Sequence, residues 1–453
     1  MEVVLGQQDA ADWVYRGEGA VNLVLAYIGS SPALVGKVLR IQKAQRNGSK
    51  CANGSASLST HECLLWKDNA DLGSSPTREI AARLYVQHVM IPLLGAKHVD
   101  AGIPVLVSRE FLESVEKNVL SQRPAWRVNA AKVDSLCHSA LIISDHSIFP
   151  HGVLKAEPCI SVEIKPKCGF LPFSRFIAEK NANKRIISRF RMHQVLKLHQ
   201  KEISQISEYD PLDLFSGSKD RIQKAIKDLF TTPQNNFRIF LNGSLIFGGL
   251  GGGMDRTSFA TGEALEDALK CLIQADNCLH TMSFLQLVSE TIFKSKVLDR
   301  LLEVQKLDVF DIEGALHAYY DIMSQPCMVC RNLGEDTVSH RYASLHSLPL
   351  DESLKIVKDY LIAATAKDCS LMISFRPKGD VDPGSPVSDV YLDSTDQSFD
   401  YKAFFIDLDM KPLKKMEHYY ELDQKIVSYY NQMVKPEHEP NKVAGIEAYN
   451  SVY

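Results

Sequence analysis

With 453 residues, 45% of them hydrophobic and 23% charged, and with 25 Gly and 19 Pro, the chain has room for two or three units or two large lobes. Its composition is that of an ordinary globular protein and excludes a small disulfide scaffold, a disordered chain and a collagenous one. Lys plus Arg total 51 against 55 Asp plus Glu, a net charge of −4, so no chain-wide basic field exists for a nucleic-acid backbone or an anionic membrane, and any polyanion site must be local.

Met1 to Gly6 lacks the basic start and apolar stretch of a secretory signal, and no run reaches the ~18 apolar residues of a membrane span. The expected setting is the cytosol or nucleus, without a membrane partner. Ten thinly spread Cys then read as free thiols with at most one metal site. No internal repeat is evident. Loops are expected at Gln45 to Ser59, Gly248 to Thr261 and Arg376 to Asp400, and a frayed tail after Val434.

Asn22 to Tyr27 and Val35 to Ile41 alternate as strands joined by a turn at Gly29 to Pro32. Before them stands Gly17-Glu18-Gly19-Ala20-Val21-Asn22, a turn whose glycines let backbone N–H groups approach phosphates. A Gly-x-Gly pair alone is more often a plain tight turn. Lys37 and Arg40 on the next strand reach toward the same place. Ile160 to Lys167 reads as a strand with Ile160, Val162 and Ile164 buried and Glu163 and Lys165 side by side on the other face, ended by Pro166.

From Glu163 to Lys201 there are ten Lys/Arg against Glu163 and Glu179, a local net of +8. That excess repels itself unless an anion is near, and the tract is too short to follow a duplex, so a compact, highly phosphorylated molecule suits it. An exposed basic helix is the competing explanation. Asn235-Asn236-Phe237-Arg238 opens a strand that turns at Asn242-Gly243. Two further helices are expected on apolar spacing. One carries Leu298, Leu301, Leu302 and, at a polar position, Gln305; the other carries Leu354, Val357, Leu361 and Ile362.

His317, Cys327, Cys330 and His346 offer two imidazoles and two thiolates, a closed tetrahedral set for a structural Zn²⁺, with His340 as the competing fourth ligand. Asp368 precedes the strand Ser370 to Phe375, and Asp407 ends the strand Ala403 to Ile406. Antiparallel pairing of those strands brings the two acids together, one to hold Mg²⁺ on nucleotide phosphates and one to accept a hydroxyl proton. Taken singly, each Asp is more readily a cap. Lys411, Lys415 and Tyr419 fall on one face of an expected helix, with Lys414 beside them.

Taken together, Gly17 to Leu25, Glu163-Ile164-Lys165-Pro166-Lys167-Cys168-Gly169-Phe170, Asn235 to Arg238, and Asp407-Leu408-Asp409-Met410-Lys411-Pro412 resemble inositol-pentakisphosphate 2-kinases of the plant branch, from about Asp12 to Tyr430. The resemblance implies an α+β fold of two lobes distantly like protein kinases. Its β-rich N-lobe would span residues 1–146 and its larger C-lobe, with the zinc site, residues 147–453, hinged near Asp145-His146. It implies ATP held by Gly17 to Asn22, Val38, Arg40, Asp145, His146, Glu163 and Met372, with Mg²⁺ on Asp407. Lys165 would be part of the catalytic set and Asp368 the base. Arg127, Lys167, Lys197, Asn235, Asn236, Arg238, Lys411, Lys415 and Tyr419 would cradle inositol pentakisphosphate, and the product would be inositol hexakisphosphate made by a monomer. Lys415 replaces an Arg of close relatives, losing bidentate geometry. Gln45 stands where a further basic contact is expected, with Arg46 as its substitute.

Two other classes are weighed. A protein kinase needs His-Arg-Asp and Asp-Phe-Gly, and neither string occurs. A non-catalytic zinc adaptor or RNA-binding module would use the tract Lys165 to Lys201, which lacks the aromatic interleaving that base stacking needs.

Overall fold

The computed structural model describes residues 4–46, 57–149, 158–249, 262–276, 279–333, 342–378 and 387–434. The stretch Leu250 to Thr261, His340, and the tail after Val434 lie outside them.

Among the described residues, thirteen strands form two sheets. The first, in the order β1-β5-β7-β4-β3-β2 with β6 paired to β4, comprises β1 (Val4–Leu5), β2 (Trp13–Glu18), β3 (Asn22–Tyr27), β4 (Lys37–Gln45), β5 (Ile103–Val107), β6 (Ala131–Val133) and β7 (Ser139–Ser144). The expected hairpin is β3 and β4, paired antiparallel, and β2 extends it on the side of the glycine turn. Helix Arg109–Val119, capped by Ser108, buries Phe111, Leu112, Val115 and Val119 under this sheet because those positions share one face.

The second sheet is ordered β10-β9-β8-β11-β13-β12, from β8 (Ile160–Ile164), β9 (Phe237–Leu241), β10 (Ser244–Gly248), β11 (Ser370–Pro377), β12 (Ser388–Leu392) and β13 (Gln397–Ile406). The stretch Arg376 to Asp400, expected as a loop, contains β12 and the start of β13. Around this sheet lies the larger core, with helices His280–Ser295, Val297–Gln305, Asp311–Ile322 and Leu350–Asp368. Leu354, Val357, Leu361 and Ile362 are all buried, as their spacing predicts. The α+β expectation, strand-rich in front and mixed behind, agrees with this architecture.

The front unit is less self-contained than a boundary at residue 146 implies. Leu65, Trp66, Leu72, Tyr85 and Leu94 pack into the second core, and Val99 bridges to Phe405. Asp145 and His146 join the sheets. Asp145 N–H donates to the Gly36 carbonyl at 2.8 Å and its carboxylate accepts from Arg16 at 2.7 Å. The His146 ring stacks on Phe404 with centroids 3.9 Å apart.

Candidate active site

Strand β8 lies inside its sheet with both edges paired, to β9 and β11, and all five of its residues are buried, so both its faces are covered. Glu163, expected on an open face, is therefore buried at 7% exposure. It does share a face with Lys165. Ser370 Oγ donates to Glu163 at 2.9 Å and accepts from Lys165 Nζ at 2.8 Å, while Arg238 donates to Glu163 at 3.2 Å. Lys165 Nζ also reaches Asp407 at 3.2 Å.

Strands β11 and β13 pair antiparallel with Ser370 opposite Ile406, so Asp368 and Asp407 stand at the same end of the sheet. Their side chains are 59% and 51% exposed. Asp368 accepts from Lys411 Nζ at 2.7 Å and Lys167 Nζ at 3.5 Å. Burial of its surroundings opposes ionisation, yet Lys167 and Lys411 bring its pKa down to about 2. Asp407 is lowered too: burial opposes this, and Lys165 and Arg40 overcome it. Both carboxylates are thus open to solvent while enough protein surrounds them for burial to oppose their ionisation. Lys167 and Asp407 both adopt left-handed backbone, φ 62° and 61°, a strain that clusters at functional sites.

The glycine turn connects to this end through Arg40, which contacts both Asn22 and Asp409. A Cβ added at Gly17 or Gly19 would meet nothing within 4 Å, leaving open space before the turn, and Ala20 and Val21 are exposed. Glu18 is instead a buried anchor whose carboxylate is bound by Arg123 and Lys43. Arg40 spans the two sheets. It donates to both oxygens of Asp409 at 2.6 Å, and with the Asn22 amide oxygen turned toward it, to Asn22 at 2.7 Å. Asp409 was not among the predicted residues, although it lies inside the Asp407 to Pro412 motif.

The remaining predicted residues divide. Lys167 and Lys197 approach each other closely enough that Lys197 helps lower the Lys167 pKa, after burial. Tyr419 lies within the field of Lys411 and Asp368. Asn236 is buried, its carbonyl accepts from Lys165 N–H at 2.9 Å, and its Oδ1 has no partner among the described residues. Asn235 is half-buried in the turn beside it. Arg127 sits at the glycine turn, donating to the Gly19 carbonyl at 3.1 Å and stacking on Trp126. Val38 is in β4; Met372 is buried opposite Glu163.

Two expectations are corrected. Lys411 is not helical: Pro412 removes a backbone donor and turns the chain extended, Leu413–Lys415 is a 3-10 turn, and the helix runs Met416–Val434. Lys415 is exposed in that turn, so Lys411, Lys415 and Tyr419 share no helical face. The basic tract, too, does not converge on one anion. Lys184 is buried against Asp311, Glu313 and Asp423, Arg189 pairs with Asp423, and Arg191 lies 3.9 Å from Asp210. Arg46 binds the Val128 carbonyl at 2.6 Å. No motif pointed to His193, which lies among cations. Burial, Lys197, Arg189 and Lys167 push its pKa down to about 3, leaving it neutral.

Away from the acids, His317 Nδ1 lies 3.3 Å from Cys327 Sγ, 3.4 Å from Cys330 Sγ and 3.1 Å from His346 Nε2, which is 3.3 Å from Cys330 Sγ. A tetrahedral Zn²⁺ with N and S ligands has ligand–ligand edges of about 3.3–3.8 Å; three of these four separations fall in that range and the His317–His346 one is slightly shorter, so two imidazoles and two thiols gathered here suit the ion. Asp321 accepts from His346 Nδ1 at 2.8 Å, fixing the tautomer that leaves Nε2 free to ligate.

The model of one family, described as inositol-pentakisphosphate 2-kinase, matches residues 15–425. The chain is 59% identical over 446 residues to the inositol-pentakisphosphate 2-kinase of Arabidopsis thaliana, covering 98% of each. It is 54% identical to that of Oryza sativa subsp. indica, over 95% of this chain and 96% of the relative, and 29% identical to that of Danio rerio, over 94% of each. By this likeness, end to end and strongest in the two plant proteins, the chain belongs to the inositol-pentakisphosphate 2-kinase family.

Proposed function

We propose that the protein transfers the γ-phosphoryl group of ATP to the 2-hydroxyl of inositol 1,3,4,5,6-pentakisphosphate, giving inositol hexakisphosphate. The observation that carries this is one end of the second sheet where half-exposed Asp368 and Asp407 meet Lys165, Lys167 and Lys411, with Arg40 arriving from the other sheet. The protein is read as two kinase-like lobes with the nucleotide between them, lying under Gly17 to Asn22 against Arg40.

Phosphoryl transfer asks the protein for positioning and charge neutralisation rather than covalent chemistry. Asp407, an open carboxylate beside cations that favour phosphate, suits Mg²⁺, which is held by one or two carboxylates plus phosphate oxygens and supplies charge neutralisation when bound. Lys165, its ammonium held charged by Asp407 and Glu163 against the opposing effect of burial, is placed to follow the transferred group. Lys167, Lys197 and Lys411 hold substrate phosphates. As phosphates draw Lys167 and Lys411 away from Asp368, two cations leave it and negative charge arrives. Both changes raise its pKa from about 2, toward a group able to accept the hydroxyl proton.

Purified protein with ATP, Mg²⁺ and a panel of inositol phosphates, resolved by anion exchange, tests this reading. The expected product is hexakisphosphate from the pentakisphosphate with a free 2-hydroxyl; no turnover of that substrate contradicts it.

Zn²⁺ on His317, Cys327, Cys330 and His346 has a structural part in this reading, tying helix Asp311–Ile322 to the turn at Ala343–His346. Metal analysis checks it. One equivalent of zinc, and a lower melting temperature after chelation, are expected; zinc-free protein melting at the same temperature contradicts it.

A further inference from the structure

The polar position that closes the apolar stripe of helix Val297–Gln305 is not solvated: Gln305 is fully buried, at 0% exposure. Its amide makes three bonds. Oε1 accepts from Gly169 N–H at 2.8 Å, and Nε2 donates to the Lys167 carbonyl at 2.8 Å and the Ala366 carbonyl at 3.1 Å. Two donors on one nitrogen beside an acceptor oxygen is the inventory of a primary carboxamide, and of no other side chain. All three partners are backbone groups, so the amide joins two chain segments rather than recognising a side chain.

One segment carries Lys167; the other ends two residues past Ala366 in Asp368. Lys167 Nζ lies 3.5 Å from Asp368 Oδ1 although the residues are 201 positions apart. Lys167 is held left-handed at φ 62°, which a lysine adopts only where its surroundings impose it. The surroundings do so: Lys165 N–H donates to the Asn236 carbonyl at 2.9 Å, and the Pro166 carbonyl accepts from the Tyr209 hydroxyl at 2.8 Å. The amide of Gln305 completes this set and is the one member that also grips the helix ending in Asp368.

We propose that Gln305 is a positioning residue that sets the distance between Lys167 and Asp368, and so the alignment of substrate phosphate with the acid beside the accepting hydroxyl. The inference rests on the active-site reading above.

The Gln305→Met protein keeps side-chain length and removes all three bonds. Its kcat with inositol pentakisphosphate should fall about tenfold or more, because misplacement of reacting groups by a fraction of an ångström is felt directly in the rate, while KM for ATP stays unchanged. Lost stability alone is controlled by Glu266→Ala, which removes the carboxylate that caps helix His280–Ser295 through His280 N, Thr281 N and Thr281 Oγ1 and should leave kcat unchanged. Gln305→Glu retains the acceptor for Gly169 but lacks a donor unless protonated, so its activity relative to the parent should rise as pH is lowered.

Folded Gln305→Met protein with parental kcat overturns the inference, as does an equal kcat loss in Glu266→Ala. Where Gln305→Met does not fold, the Gln305→Glu ratio decides: a rise at low pH supports the positioning role and a flat ratio overturns it. Lys167→Met and Asp368→Asn, assayed alongside, separate the two levels. Full activity in those proteins would overturn the active-site reading itself and the inference with it.

Discussion

Two ionic clusters use the same residue types to opposite ends. Around Lys184, three carboxylates close on one ammonium while Arg189 pairs with one of them, Asp423, and Lys184, Asp311, Glu313 and Asp423 are all less than a tenth exposed. At the ends of β11 and β13, Asp368 and Asp407 face Lys165, Lys167 and Lys411 while remaining more than half open to solvent. The first cluster satisfies its charges within the chain and holds helices together. The second leaves carboxylate lone pairs and ammonium donors free for a ligand. Charge count in the sequence is the same kind of signal for both; access to solvent is what separates a structural pair from a site.

The sharpest break of this contrast is Asp407→Asn. Asn accepts the left-handed backbone at that position as readily as Asp, so the substitution removes charge and little else. It should lower kcat/KM about 10²–10³-fold, the usual scale for deleting one preorganised charge, with the melting temperature nearly unchanged. The mirror experiment is Lys184→Met. It strands the buried carboxylates of Asp311 and Glu313, leaves Asp423 to Arg189 alone, and should destabilise the fold by about 3–5 kcal/mol in denaturant titration, while the molecules that remain folded keep their turnover.

Much of the open cluster was legible because its determinants are local. Strand β8 ends at Pro166, the Asn242-Gly243 turn has φ of 48° and 78° as a tight hairpin requires, and two alternating strands flanking a loop sufficed to predict that Asp368 and Asp407 converge. The closed cluster was not legible. The partners of Lys184 lie 127, 129 and 239 positions away, so the tract Glu163 to Lys201 read as unpaired charge. Glu163 looked solvated because one strand's alternation does not reveal that the second face of the sheet is covered as well. The i, i+4 spacing of Lys411, Lys415 and Tyr419 does not make a helix because Pro412, with its fixed φ and missing donor, interrupts it. Gln305 was visible only as an anomaly, a polar residue on an apolar stripe, and its meaning needed the three backbone groups around it.

A smaller effect sharpens the comparison from the ligand side. Lys411→Met removes one charge-assisted bond, worth about 1.5 kcal/mol, and should raise KM for the inositol phosphate about tenfold without changing KM for ATP. The smallest concerns pH. Asp368 titrates at about 2 instead of its ordinary 3.8, so its ion pairs contribute stability that is complete above pH ~4 and lost as pH falls toward 2. Because its side chain is more than half exposed, that contribution is a few tenths of a kcal/mol. Asp368→Asn should therefore flatten the acid limb of the stability profile only slightly.

The most direct test of the contrast between open and closed clusters is a crystal structure with inositol hexakisphosphate, ADP and Mg²⁺. The account predicts inositol phosphates on Lys167, Lys197 and Lys411 beside Asp368, the nucleotide under Gly17 to Asn22 against Arg40, and Lys184 still enclosed by its three acids. Inositol phosphates bound on another surface, with those three lysines free of them, would contradict it.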